Sequence, residues 1–173
     1  MNMDKKLEPI VQTLQEKYST SYEEFRDEVH VFVNPEFIAE ALTLLRDKYD
    51  FELLSAMTAS DYYPQMLPRF HVIYQLTSLA KNLSLQLRVP VDGLNPKIPT
   101  ATGVYDVANW RERELMDMFG IIAEGHPDPR VLLLPEDWEG QHPLRKDYPL
   151  GYEEVQFTFN FDDIDLRKTY AKE

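Results

Sequence analysis

The residues of this chain that could do chemistry gather between positions 109 and 149. Glu114 lies in a charged stretch with Arg111, Glu112, Arg113 and Asp117, and His126 and His142 follow among prolines. A glutamate whose pKa is raised, set beside a histidine, can work as a general acid and base, and Glu114 with His126 is the pair that would do so. The plainer role for Glu114 is a charge pair that fixes an interface. Arg111 at i−3, or an arginine on another chain, would be its partner. His126 and His142 together with Asp128 or Asp137 could hold a metal. Their spacing matches no common ligand pattern, however, and the prolines beside both histidines serve backbone shaping equally well. His30 and His71 fall in strand-like segments and read as structural residues. Asp61, beside Tyr62 and Tyr63, could form a polar site, but turn chemistry accounts for it more simply. No glycine-rich phosphate cradle and no Gly-x-Ser-x-Gly elbow occurs, so the sequence carries no recognisable catalytic centre.

The elements that must position these residues follow from periodicity. Residues 110–120 read as an amphipathic helix stopped by Gly120 at its C′ position. Val107, Trp110, Glu114, Leu115 and Met118 fall on adjoining positions of one side, which would set Glu114 against an apolar stripe. Beyond it, Pro127, Pro129, Pro135, Pro143 and Pro149 each remove an N–H donor. Such a segment builds no ladder of its own, while Val131, Leu132, Leu133, Leu134, Trp138, Leu144 and Tyr148 call for a surface to lie on. Upstream, residues 4–18 read as a helix and 28–33 as a strand. Asn34 caps a second helix with Pro35 in its first turn. Residues 51–58 form a further strand, and 70–77 with 83–89 alternate as a hairpin. Residues 92–103 read as a loop. The expected fold is therefore α+β, with helices packed on a mixed or antiparallel sheet and a proline-rich extended C-terminal arm. The division expected is an α+β domain over 1–120 and a partner-binding arm over 121–173. Within the arm, 155–161 alternates like an added edge strand.

Composition narrows the class. A chain of 173 residues, 43% of them hydrophobic, can bury a core of its own. It has no cysteine, which removes thiolate nucleophiles, structural disulfides, cysteine-bound zinc and ordinary iron–sulfur ligation by this chain. A net charge of −12 argues against nucleic acid and anionic lipid as direct partners. No apolar run reaches the roughly 20 residues of a membrane span, and residues 1–6 read as neither a signal nor a transit peptide. Any membrane association is expected to be indirect.

Two stretches together resemble a known family. Glu112-Arg113-Glu114, Asp117, His126 and Arg130 resemble the signature of the 30-kilodalton subunit, the bacterial C subunit, of respiratory complex I (NADH:quinone oxidoreductase). Residues 140–149, with His142-Pro143-Leu144-Arg145-Lys146-Asp147-Tyr148-Pro149, resemble that family's second landmark. Pro129 and Val131 stand where relatives usually have leucine and a second arginine, and Gln141 reads as an extra residue. The resemblance implies a cofactor-free structural subunit of a membrane-associated, proton-translocating oxidoreductase, docked on the 49-kilodalton hydrogenase-like subunit near the quinone site. It implies FMN, iron–sulfur clusters and quinone in partner subunits, and a peripheral place on the cytoplasmic face of a prokaryotic membrane. It marks Glu112, Arg113, Glu114, Asp117, His126, Arg130, Arg145, Lys146 and Asp147 as motif and subunit-interface residues. The equivalent subunit of a related membrane-bound hydrogenase or other quinone-reducing complex would share these features. A stand-alone acid/base enzyme built on Glu114 and His126 is the contrasting reading.

Overall fold

The computed structural model describes residues 5–26, 28–135 and 137–148. Pro149 and the strand expected at 155–161 lie outside the described residues. The order is α1 (Glu8–Tyr18), β1 (Ser21–Phe25), β2 (Glu28–Phe32), a 3-10 turn (Pro35–Phe37), α2 (Ile38–Tyr49), β3 (Leu53–Asp61), β4 (Phe70–Ser78), β5 (Leu83–Val91), β6 (Lys97–Pro99), α3 (Ala108–Phe119) and β7 (Ile122–Glu124).

The β4–β5 hairpin is the centre of the sheet because its alternation is strict. Val72 faces Val89, Tyr74 faces Leu87 and Leu76 faces Leu85 across the antiparallel ladder, and all six are buried. Residues at the intervening positions stay partly wet and tie into a polar ladder. There Gln86 Nε2 donates to Gln75 Oε1 at 3.1 Å, and Gln75 Nε2 donates to Ser84 Oγ at 2.6 Å. One face of the sheet is thus apolar and covered, the other hydrogen-bonded and open. The five strands run in the order β1-β2-β5-β4-β3, and β2 lies parallel to β5, so the sheet is mixed. Ile10, Val11 and Leu14 of α1, Ile38, Leu42 and Leu45 of α2, and Leu115 and Phe119 of α3 join the strand residues in one core. The α+β class expected from periodicity holds.

Several boundaries differ for identifiable reasons. Asn34 Oδ1 accepts from the Glu36 N–H at 3.3 Å, as a capping residue does, but it opens a 3-10 turn and the α-helix proper starts at Ile38. Strand β1 escapes a reading by periodicity because all five of its residues are exposed, leaving no alternation. The expected loop 92–103 contains β6, which pairs in parallel with β7 from beyond α3. A three-residue strand carries no period of its own. His30 is buried together with its neighbours Val29 and Val31, so alternation does not leave one face of β2 open there. His71 stacks edge-on against Phe32 and tilts over Tyr62, and burial together with Arg88 pushes its pKa down.

Candidate functional site

Helix α3 sorts its charged residues by direction. Ala108, Glu112, Leu115 and Phe119 recur at three- and four-residue steps and are buried with the core, whereas Arg113 and Asp117 are buried on the adjoining side. Trp110 is 57% exposed and Val107 40%. The apolar stripe expected through Val107, Trp110, Glu114, Leu115 and Met118 is therefore not the buried face. Glu114 sits outward and pairs with Arg111 at 3.0 Å, the i−3 partner, in an exposed salt bridge. The carboxylate placed in the core is Glu112.

Glu112 can be buried because it is saturated. Its Oε1 accepts the Ala101 N–H and its Oε2 the Thr100 hydroxyl, each at 2.6 Å. Burial pushes its pKa up, and these two hydrogen bonds offset part of that rise. His126 lies 3.9 Å away. Its Nε2–H donates to the Asn109 carbonyl at 3.1 Å, and its Nδ1 accepts the Asp128 N–H at 3.0 Å. Both ring nitrogens are thus engaged with the main chain, which suits a structural pin better than a metal ligand. Glu114 and His126 are held by different partners and are not brought together.

The arm returns to α3. Arg113 Nε and Nη2 donate to the carbonyls of Arg130 and Val131 at 2.7 and 3.0 Å, while the guanidinium lies over the Trp110 ring. Asp117 Oδ2 accepts three successive amides, those of Leu132, Leu133 and Leu134, at 2.9, 2.7 and 3.4 Å. The His142 Nδ1–H donates to the Asp117 carbonyl at 2.9 Å, the Leu144 N–H to Met118 at 3.0 Å and Arg145 Nε to Phe119 at 2.6 Å. These three carbonyls lie in the last turn of α3, where intrahelical donors have run out. Gly120 follows with φ +70, and any Cβ there would collide with the His142 ring and the Arg145 guanidinium. The glycine thus ends the helix and admits the arm. Arg130 itself is paired outward with Asp128 at 2.6 Å.

The arm is fastened a second time at a cluster that sequence reasoning missed. Arg69, 3% exposed, grips Asp61 through Nε and Nη2 at 3.0 and 2.9 Å. It reaches Asp147 through Nη1 and Nη2 at 3.0 and 2.6 Å. Asp61 also accepts the Lys146 and Tyr63 N–H groups at 2.9 Å each. Burial alone would raise the Asp61 pKa, but the Arg69 fork and the two N–H bonds outweigh it and hold the carboxyl below its ordinary range. Bonding to Arg69 lowers Asp147 likewise and raises Arg69. Turn chemistry at Asp61 is present through Tyr63, yet it is the lesser part. The only sequence signal for Arg69 is a charge directly before an alternating strand. The prolines of the arm predict no anchor on its own domain; through Tyr148 these bonds supply one.

The site residues settle one quantity. Because the Arg111–Glu114 pair is exposed, Glu114→Ala should cost the isolated chain about 0.3–0.5 kcal/mol. This amounts to a melting shift of about 1–2 °C. A much larger loss in a thermal melt would mean that Glu114 has a buried partner after all.

Fold and geometry define a two-layer α+β domain whose charged helix holds a proline-rich arm by its main chain. The family described as "Respiratory-chain NADH dehydrogenase, 30 Kd subunit" matches residues 31–154. The C subunit of NADH-quinone oxidoreductase from Roseiflexus sp. (strain RS-1) is 49% identical over 152 residues, covering 87% of this chain and 86% of that one. The protein of the same name from Salinispora tropica is 45% identical over 134 residues, covering 76% of this chain and 54% of its own. Among solved structures, the trypsin-resistant fragment (1-134) of Nqo5 superposes with a TM-score of 0.64 at 32% identity, over 71% of this chain and 98% of the fragment. A chain of the membrane-bound sulfane sulfur reductase, an archaeal respiratory membrane complex, gives 0.70 at 19% identity over 95% of this chain and 91% of its own; that likeness is one of fold. The chain belongs to the 30-kilodalton subunit family of respiratory-chain NADH dehydrogenase, and so to the subunits of complex I. Among the described residues no helix is long and apolar enough to cross a membrane.

Proposed function

We propose that this chain is a structural subunit without a redox centre of a proton-translocating NADH:quinone oxidoreductase. In this reading it docks on the 49-kilodalton hydrogenase-like subunit near the quinone site, on the cytoplasmic face of the membrane. FMN, the iron–sulfur clusters and quinone belong to partner subunits. The observation that carries the reading is the use made of the motif: Glu112, Arg113, Asp117 and Asp147 are each engaged in bonds that hold the loop before α3 or the arm. Groups so engaged are poor acids, bases or ligands, and good supports. The lack of cysteine agrees, since ordinary iron–sulfur clusters need thiolates.

Two measurements test it. The purified chain, incubated with iron, sulfide and FMN and then desalted, should show only aromatic absorption and should not oxidise NADH. A retained visible chromophore, or NADH turnover by the chain alone, would overturn the cofactor-free assignment. Affinity purification through this chain should recover the 49-kilodalton subunit in equal amount; its absence from an otherwise intact complex would refute the docking.

A further inference from the structure

The open face of the sheet has an arginine at its centre and no acid beside it. Strand β5 is the middle one of the five, and Arg88 stands on its uncovered side, opposite Phe32 of β2 and Ile73 of β4. A relay of side chains positions the guanidinium. Its Nε donates to Gln86 Oε1 at 2.6 Å, Gln86 Nε2 to Gln75 Oε1 at 3.1 Å, and Gln75 Nε2 to Ser84 Oγ at 2.6 Å. That relay engages Nε alone. Among the described residues nothing accepts from Nη1 or Nη2, and no carboxylate pairs with Arg88. The chain holds 30 acidic residues against 18 lysines and arginines, yet it sets none against this cation. A second polar group is unmet at the same place. His71, two residues from Ile73, lies edge-on to Phe32 and tilts over Tyr62, and its Nδ1 is buried without a partner. Burial and then the charge of Arg88 push the His71 pKa down, so the ring feels that charge unneutralised.

We propose that Arg88 anchors a docking site on the open sheet face and takes an aspartate or glutamate carboxylate of a partner subunit through its two terminal nitrogens. The inference rests on the structural-subunit reading and adds a contact face on the side of the sheet away from the helices. Geometry selects the carboxylate, because two N–H groups in one plane match its two oxygens. Phe32, Ile73 and Tyr62 stand around the guanidinium as an apolar collar that keeps water from the pair once it has formed. The relay through Gln86 and Gln75 orders the arginine before the partner arrives, so association does not have to order it. Charge decides against a second copy of this chain, since two bodies of net charge −12 repel one another.

The test uses the intact complex, purified through a tag on this chain carrying Arg88→Lys. A carbodiimide joins an amine to a carboxylate that touches it, with no spacer between them. Mass spectrometry should therefore find position 88 linked to an aspartate or glutamate of another subunit. Arg88→Gln, treated in the same way, should give no link there. Arg88→Glu should lower recovery of the linked subunit about threefold or more, with the deficit shrinking as salt rises. The control Lys17→Glu, on the exposed side of α1, should leave recovery unchanged. Amide exchange along β4 and β5 should match that of the unmodified chain in every variant, which separates a lost contact from a loosened sheet. If Arg88→Glu loosens the sheet, the link formed by Arg88→Lys decides by itself. An intact complex without a link at position 88 would overturn the docking site and leave the structural-subunit reading standing. Links solely to acids of this chain, residues 149–173 included, or to a second copy would do the same. Recovery of no partner even by the unmodified chain would refute that reading, and the site with it.

Discussion

Arg69→Ala should destabilise the isolated chain by about 3–5 kcal/mol, the largest loss expected from any single change in the arm's fastening. The guanidinium bridges two carboxylates, and one of them, Asp61, has a side chain just 2% exposed. Removing it strands that charge in the interior, where water cannot replace the two hydrogen bonds it received. The missing side chain also leaves a gap beside the Phe70 and Tyr63 rings, over which the guanidinium lies. Arg69→Lys should recover little, since an ammonium cannot fork to both acids. Asp147→Ala should be far milder, about 1 kcal/mol, because its side chain is one-third exposed and the Asp61–Arg69 pair survives. Urea unfolding of the three variants measures this order; equal losses from Arg69→Ala and Asp147→Ala would mean that the buried half of the cluster contributes nothing.

The same cluster sets a pH dependence with a definite sign. Both Asp61 and Asp147 have folded-state pKa values below the ordinary one. Their contribution is therefore fully present above the unfolded value of about 3.9 and is lost as pH falls through the lower folded values. The arm should stay fastened from pH 7 down to about 5 and release only in stronger acid. Release between pH 5 and 7, followed by exchange at residues 144–147, would contradict the assignment.

Asp117→Ala should open the arm at its other end. One carboxylate oxygen receives the amides of Leu132, Leu133 and Leu134, so the truncation leaves three donors without an acceptor in a place where Asp117 itself is buried. A loss of about 2–4 kcal/mol is expected from these charge-assisted bonds. Amide exchange at those residues should accelerate about a hundredfold or more. Asp117→Asn keeps one carbonyl oxygen and should lose about half as much. The unmodified chain, free of partners, should already protect these amides. Rapid exchange there in the free chain would show that the arm needs its partner to be held, as its prolines alone suggest.

Legibility in the sequence varies by element. The β4–β5 hairpin can be read because its alternation is strict, and both strands keep one covered and one open face. Helix α2 can be read from its stripe and from Asn34 and Pro35, although the first turn is tighter than α. Gly120 announces the end of α3. Strands β1, β6 and β7 cannot be read: one is exposed throughout and the others are three residues long.

Periodicity misassigns the buried face of α3 because it ranks side chains by polarity. Burial of Glu112 and Asp117 runs against that ranking, and it is made possible by amides and a hydroxyl from Thr100, Ala101 and residues 132–134. Those backbone donors carry no signature in the sequence. By itself the sequence determined the class of fold, the central hairpin, the extent of the motif helix and, through its two landmarks, the family. Only the tertiary structure decided which way each charge of that helix points. It also decided that Asp61, Arg69 and Asp147 form one cluster, since Asp61 and Lys146 are 85 residues apart in the chain and adjacent in space. Local patterns report what a residue's near neighbours allow, whereas the worth of a buried charge depends on a partner that folding brings from far away.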